Sequence, residues 1–432
     1  MMRTIEEILN LLEEEDIKFI RLQFTDMYGN LKNIAVTSNQ LERVLHNKYM
    51  FENQQLFGMG NDAQDMYLSP DLDTFVILPW RPQQGKVARM ICDIYNADGT
   101  VSDLYPRTIL KEIVQSAKDK GYTFYVDPEC EFFLFETDDN GVPTTVTHEM
   151  AGYMEVGPVD AGENVRRDIV LMLEEMGFEM ESSHHETAPA QHEIDFREGE
   201  ALQIADSVIT FKSAVRSIAK RFGLHATFMP KPKHGVAGSG MHLNISVYKD
   251  GRCLFNSKDG EIRDETKWFI GGILKHVKGM CAVTNPLVNS YKRLQSGYHA
   301  PNDIAWSCHD VNAIAKVRRS IGEDTKVELR FPDPSANPYL AIALCIAAGI
   351  DGLEHQINPG DMLENCREKG LPVGSLPSTL REAIHHMKND ELIENVLGKE
   401  FVRAYMNGKI REWNEYMAQV SDWEVEKYLH CV

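Results

Sequence analysis

Pro128-Glu129-Cys130-Glu131-Phe132-Phe133-Leu134-Phe135 is the stretch from which the rest of the chain can be read. Side chains on a β-strand alternate faces, so Glu129 and Glu131 point one way and Cys130, Phe132 and Leu134 the other. Two acids side by side on one face repel unless something positive sits between them. Two readings stand: a strand that helps hold a divalent cation, and an ordinary half-exposed strand.

The pattern recurs. In Gln191-His192-Glu193-Ile194-Asp195-Phe196, Glu193 shares a face with Gln191 and Asp195, while Ile194 and Phe196 face the core. Met241-His242-Leu243-Asn244-Ile245-Ser246 presents His242, Asn244 and Ser246 together, and Val327-Glu328-Leu329-Arg330-Phe331 presents Glu328 with Arg330. His184-His185-Glu186 offers a further carboxylate on a loop. One acidic strand is common, but several polar-faced strands in one chain are not expected from packing alone. If the faces converge they form a carboxylate-rich basin with one imidazole and at least one guanidinium. That donor set suits Mg²⁺ or Mn²⁺ better than Zn²⁺. Plainer readings remain for each part: His242 as a core histidine, His184-His185 as polar loop, Arg330 as a structural neutraliser of Glu328.

Gly235-Val236-Ala237-Gly238-Ser239-Gly240 follows Lys231 and Lys233 and would let backbone approach a ligand closely. It lacks the Gly-Lys-Ser/Thr ending of a phosphate-binding P-loop. In Asn289-Ser290-Tyr291-Lys292-Arg293-Leu294, Arg293 is either a bidentate carboxylate clamp or part of a solvated basic turn.

Composition narrows the classes. A net charge of -20 argues against nucleic acid as a partner, because phosphate backbones are bound by basic surface. The 8 cysteines contain no C-x-x-C pair and read as reduced thiols of a cytoplasmic protein. No signal peptide is visible, and the apolar stretch from Leu340 to Leu353 is too short to span a bilayer. With 432 residues, one large domain or two unequal ones are expected.

Thr4 and Glu7 make a capping-box pattern ahead of Ile5, Ile8, Leu9 and Leu12, which predicts a first helix. Phe19 to Asp26, the turn Met27-Tyr28-Gly29-Asn30, and Leu31 to Val36 predict a hairpin. Further strands are expected at 74–78 and 87–94, giving a small sheet with one helix across it and a boundary near residue 103. Beyond it, helices are expected before Gly121, Gly177 and Gly223, and another beginning at Pro338.

These residues together resemble type I glutamine synthetase. The resemblance is carried by Pro128 to Phe133, His184-His185-Glu186 with Gln191 to Asp195, and Lys231-Pro232 with Gly238 to His242. Asn289 to Leu294, Asn337-Pro338-Tyr339-Leu340, Met66-Tyr67-Leu68 and Pro70-Asp71-Leu72 extend it nearly end to end. It implies an α+β fold with a β-grasp N-terminal domain, 1–103, and a large catalytic α/β domain, 104–432, on a curved antiparallel sheet. It also implies a cytoplasmic enzyme of nitrogen metabolism, assembled as a homo-dodecamer of two hexameric rings, with no membrane partner.

By matching positions, the resemblance places one Mg²⁺ or Mn²⁺ on Glu131, Glu186 and Glu193, and a second, next to the ATP phosphates, on Glu129, His242 and Glu328. Arg293 and Arg330 would hold the amino-acid substrate, bordered by Glu131, Gly238 and His242. Ser246, Lys316 and Glu129 would face ATP, and Tyr153 and Glu52 the amine. The implied chemistry moves the γ-phosphoryl group of ATP to the glutamate side chain, after which an amine displaces phosphate.

The departures from the family pattern cluster by role. His299, in Gly297-Tyr298-His299-Ala300-Pro301, stands where the family has an acid that takes a proton from ammonium. Phe51-Glu52-Asn53-Gln54-Gln55 replaces Phe-Asp-Gly-Ser-Ser, and Ala237 replaces an asparagine. Two family arginines become Val311 and Lys316, or, with a shifted alignment, are supplied by Arg318 or Arg319. A histidine can serve as a base near neutral pH. The metal basin is therefore expected intact and the amine side rewritten. The expected activity is an ATP- and metal-dependent ligase forming a γ-glutamyl amide from glutamate and ammonia or an organic amine. The alternative is a catalytically weak homologue with a nucleotide-binding, regulatory or assembly role.

Overall fold

Thr4 starts the first helix as its sequence predicts. Its hydroxyl accepts from the Glu7 N–H at 3.2 Å, and the Glu7 carboxylate accepts from the Thr4 N–H at 2.7 Å, which caps helix Ile5–Glu14. The computed structural model describes residues 3–53, 56, 65–256, 261–295, 297–319 and 324–432. The predicted hairpin pairs Ile17–Thr25 with Leu31–Thr37, Leu22 opposite Ile34. Its first strand also lies parallel to Lys86–Tyr95, which pairs on its other side with Asp65–Pro70 and then Tyr49–Glu52.

Two details of this sheet differ from the sequence reading. The strand expected at 74–78 is reduced to Val76–Ile77, because Asp71 caps a short 3-10 turn at Leu72–Thr74. A second helix, Ser38–Asn47, lies on the sheet besides the first. It buries Leu41 and Val44, three residues apart on one helical face. Gln54 and Gln55 of the amine-side motif lie outside the described residues.

The second sheet is built around Tyr122–Thr137, which contains the opening stretch. Across the sheet the strands run Gly374–Ser375, Asp303–Ser307, Ala313–Arg318, Lys326–Leu329, Met241–Lys249, Tyr122–Thr137, Gln191–Phe196 and Met180–His185. The pairing is antiparallel except between Asp303–Ser307 and Ala313–Arg318, which are parallel. The sheet is therefore mixed, where an antiparallel one was expected. The link at 308–312 is long enough, at ~3.3 Å per extended residue, to return the chain to the start of so short a strand.

Cys130, Phe132 and Leu134 are fully buried on the back of this sheet, where Phe132 meets Phe211 of helix Ala201–Arg221 at 6.2 Å between ring centres. Burying one such side chain contributes ~1.5–3 kcal/mol. Helix Pro338–His355, begun by Asn337 as cap and Pro338 in its first turn, is buried along most of its length against Asp264–Thr284 and Pro106–Asp119. Its apolar stretch is thus explained by packing, and no helix among the described residues is long and apolar enough to cross a membrane. The cysteines are free thiols, with Cys92, Cys130, Cys281 and Cys345 buried.

The two sheets meet at Arg107, which is 1% exposed. Its guanidinium reaches Asp71 at 2.8 Å and Asp93 at 2.6 Å in the first sheet's neighbourhood, and Asp206 of helix Ala201–Arg221 at 2.8 Å. The Tyr339 hydroxyl donates to the same Asp206 at 2.7 Å. Nearby, the Asn337 amide donates to the Met27 carbonyl at 3.3 Å, pinning the hairpin turn.

Candidate active site

Strand register decides which acids meet. Glu129 lies directly opposite His242 on one neighbouring strand, and Glu131 directly opposite Glu193 on the other. Farther out, Asn244 faces Glu328, and Glu193 faces His184. Directly opposed residues bring their side chains within contact distance, so the polar faces converge into one basin with two groups of ligating atoms. Glu129, His242 and Glu328 form one group, and Glu131, Glu186 and Glu193 the other, the atoms of each lying within 4.8 Å of one another.

The first group is compensated by cations of the protein. His242 Nδ1 is 3.1 Å from Glu129 and 3.4 Å from Glu328. The Asn244 amide donates to Glu129 at 3.0 Å, and Arg318 forms an ion pair with the same carboxylate. Burial opposes ionisation of Glu129, but His242, Arg318 and Asn244 outweigh it and hold its pKa far below the usual carboxylate range. Arg330 pairs with Glu328, and Lys316 stands 4.0 Å from it.

The second group is different. Glu131 accepts from the Gln191 amide and the Gly240 N–H, each at 2.9 Å, and Glu186 accepts from the Thr187 N–H at 2.9 Å and meets His184 Nε2 at 3.0 Å. Burial raises the pKa of Glu131, and neighbouring Glu186 adds to the rise. Burial also pushes Glu193 well above the carboxylate range, reinforced by Asp195, Glu131, Glu129 and Glu186. Asp127 and Asp195, on the same polar face, are both pushed up to about 6, mainly by burial. Burial opposes ionisation of Glu186 too, but His184 and the Thr187 N–H outweigh it and lower its pKa. One ionised carboxylate beside two buried ones that it pushes up, with oxygen as almost the sole donor, fits a hard divalent cation. His184, Glu193 and Asp195 make an overlapping group of the same size.

Gly240 closes the floor between the groups. A Cβ there would lie 2.7 Å from the Arg293 guanidinium and 2.9 Å from His242 Nε2, so only glycine lets both approach. Arg293 is 3% exposed, and its guanidinium donates to the carbonyls of Phe331 at 3.0 Å and Arg330 at 3.1 Å. In this conformation it braces the strand end beneath Glu131. The Gly238 carbonyl accepts from Gln191 at 3.1 Å, alongside Glu131.

Arg330 also donates to the Val311 carbonyl at 3.3 Å and the His299 carbonyl at 3.4 Å, tying the exposed turn at 297–300 to the basin. Tyr298 and His299 both have positive φ, 54° and 63°, and Lys231 Nζ sits 4.7 Å from the Tyr298 ring centre. Tyr153 meets His184 edge-on at 5.7 Å between ring centres. Ser246 is fully buried on the His242 strand, and its hydroxyl has no partner among the described residues. Glu52 stands apart, exposed at the end of edge strand Tyr49–Glu52 in the other sheet.

Sequence reasoning left Arg318 undecided and did not single out Glu149. Arg318 lies two residues after Lys316 on Ala313–Arg318, so both share a face toward the basin. Glu149 receives the other histidine of the doublet. Buried His185 points away from His184, with Nε2 2.9 Å from Glu149 and Nδ1 2.7 Å from the Glu186 carbonyl. Alternation along Met180–His185 was the available signal for that split; nothing in the sequence pointed to Glu149.

Residues 103–428 match the family model of the glutamine synthetase catalytic domain, and residues 16–97 that of the glutamine synthetase beta-Grasp domain. The chain is 52% identical to glutamine synthetase of Clostridium saccharobutylicum over 99% of each chain. It is 46% identical to that of Staphylococcus aureus over 99% of this chain and 98% of the relative. Among solved structures it is similar to a GmaS/ADP complex, with a TM-score of 0.90 and 29% identity over 100% of both chains. It is also similar to ligand-free GmaS, with a TM-score of 0.88 and 30% identity over 99% of this chain and 100% of the other.

Proposed function

Because the chain belongs to the glutamine synthetase family and is a ligase of that kind, we propose that it joins glutamate to ammonia or an organic amine through γ-glutamyl phosphate. The observation that supports this reading is the division of the basin by Glu129 and Glu131 into two ligating groups on one sheet face. Glu131, Glu186 and Glu193 would hold one Mg²⁺ or Mn²⁺, and Glu129, His242 and Glu328 the other. When bound, such ions supply positive charge to the phosphates and to the substrate carboxylate.

The protein's own groups account for the remaining steps. A γ-carboxylate oxygen of glutamate attacks the terminal phosphorus of ATP, and the bond to the bridging oxygen breaks to release ADP. Lys316, Arg318 and Arg330 border Glu129 and Glu328, where charge must be balanced as that phosphoryl group moves. The amine nitrogen then forms a bond to the activated carbonyl carbon, the bond to phosphate breaks, and phosphate leaves. His299 takes the proton released by the amine, held near the basin by the contact of its carbonyl with Arg330. Ser246 offers its free hydroxyl toward the nucleotide, Arg293 and Gly238 shape the glutamate side, and Tyr153 covers the approach of the amine.

Glu52 lies on the other sheet, so its role at the amine site requires a neighbouring subunit, in keeping with a two-ring homo-dodecamer. We place the domain division between residues 103 and 104 and the protein in the cytoplasm. His299 in place of an acid favours an amine that binds by more than its charge. Phosphate release from ATP, with Mg²⁺ or Mn²⁺, glutamate, and ammonia, alkylamines or polyamines, tests the reading. Turnover with at least one amine is expected. Ammonia turnover equal to that of the Clostridium relative would remove the case for an altered amine. ATP binding without turnover on any amine would overturn the ligase reading in favour of a regulatory homologue.

A further inference from the structure

Behind the sheet, on the side away from the acidic basin, a cavity of about 900 Å³ opens between the hairpin turn at 28–31, helix Ala201–Arg221 and helix Lys399–Met417. Lys212 forms its floor and is 7% exposed. Its ammonium donates to the Pro334 carbonyl at 2.6 Å and lies 5.9 Å from the centre of the Phe228 ring. One turn later Arg216 lies over the same ring at 5.1 Å and reaches the mouth of the cavity. Across the cavity stand Lys409 and Arg411.

The charges do not balance. Lys409 pairs with Glu412 at 2.9 Å, and Glu412 also accepts from the Val288 N–H at 3.2 Å. Lys212, Arg216 and Arg411 have no ion-pair partner among the described residues, and Glu415 is the one other acid on the lining. Burial pushes Lys212 down to about 8, and Arg216 adds to the push. Like charges one helical turn apart destabilise a helix, and a buried charge without a partner is costly. In a chain of net charge -20, carboxylates to neutralise these cations were plentiful, yet the cavity has few.

We propose that this cavity binds a small phosphorylated metabolite. A guanidinium fork and an ammonium match the several acceptor oxygens of a phosphate. The hydroxyls of Ser213, Ser217 and Ser335 line the same space, and Phe228 and Tyr28 provide apolar wall for the organic portion. The volume lies within the range usual for small-molecule sites. A bound ligand would bridge the hairpin turn of the first sheet, the helix beneath the catalytic sheet and the long helix near the C-terminus.

Calorimetric titration of the full-length protein with glycerol 3-phosphate, and separately with glutarate, at constant ionic strength tests this. Glycerol 3-phosphate is expected to saturate. The double variant Arg216→Gln/Arg411→Gln is expected to weaken it about tenfold or more, the scale of losing a charged hydrogen bond. ATP-dependent phosphate release should stay unchanged. Lys212→Met is expected to abolish binding; if it fails to fold, the rim pair decides alone. No saturable binding, or binding indifferent to the rim variant, would overturn the site. Glutarate binding as tightly as the phosphomonoester would overturn the choice of phosphate. A rim variant that alters particle mass in light scattering would mean that the cavity receives an acidic segment of a second copy, and would also overturn the proposal.

Discussion

Glu193 is 7% exposed and lies among Asp195, Glu131, Glu129 and Glu186, so burial and like charge both disfavour its ionised form. An acid whose pKa is raised by folding loses stability as pH rises above its unfolded value near 4.5. Replacing it with the neutral isostere should relieve that loss. We expect Glu193→Gln to raise the thermal midpoint in chelator at pH 7.5 by ~2–4 °C, the shift that about 1 kcal/mol gives a large domain. The further rise that Mg²⁺ or Mn²⁺ gives the parent should shrink sharply. Scanning fluorimetry with and without the ions checks both; a variant that is less stable in chelator and keeps its full metal response would refute the assignment. At this scale the sequence was informative for a simple reason. Alternation along Pro128 to Phe135 depends only on the backbone, so the shared face of Glu129 and Glu131 could be read directly. Arg318 could not, because its place beside Glu129 depends on the register of a strand far along the chain.

Helices are joined by charge as well as by apolar packing. His276, on Asp264–Thr284, is 6% exposed and meets Asp351 of Pro338–His355 at 3.0 Å and Asp390 at 2.9 Å through its two ring nitrogens. Burial opposes its charging, but the two carboxylates outweigh burial and raise its pKa above the ordinary 6.5. A histidine raised on folding contributes stability that is complete below its unfolded pKa and is lost as pH rises through the folded one. The thermal midpoint of the parent should therefore exceed that of His276→Gln most near pH 6, and the gap should narrow steadily as pH is raised beyond about 6.5. A gap that is constant or widens with pH would contradict the ion-pair account. Elements with dense apolar periods, such as Ala201–Arg221, were legible in advance. Ser38–Asn47 was not anticipated, although Leu41, Val44 and Leu45 lie at helical spacing within its short span between two strands. The parallel pair at Asp303–Ser307 escaped because nothing local distinguishes a strand that turns back beside its neighbour from one that reverses.

Across the whole molecule, Arg107 connects the two sheets through three aspartates. Removing one partner of a buried ion network leaves the others uncompensated, so Arg107→Ala should destabilise by ~3–5 kcal/mol. Arg107→Lys should recover only part of the loss, since one ammonium cannot reproduce a fork that reaches three carboxylates. Chemical denaturation midpoints measure this, and an alanine variant within about 1 kcal/mol of the parent would show the network to be dispensable. The division into two sheets followed from the order of motifs, whereas the aspartates that join them could not be paired without coordinates. The order of the strands has a further consequence, for synthesis. Tyr122–Thr137 leaves the ribosome long before its partners at Leu224–Thr227 and Met241–Lys249, and Arg318 and Arg330 arrive later still. Until Leu224–Thr227 emerges, Phe133-Leu134-Phe135 has an unpaired edge and high β-propensity, the profile of an aggregating segment. Glu129 and Glu131 travel beside it without their cations, and the repulsion that burdens the finished basin keeps nascent chains from pairing through that strand.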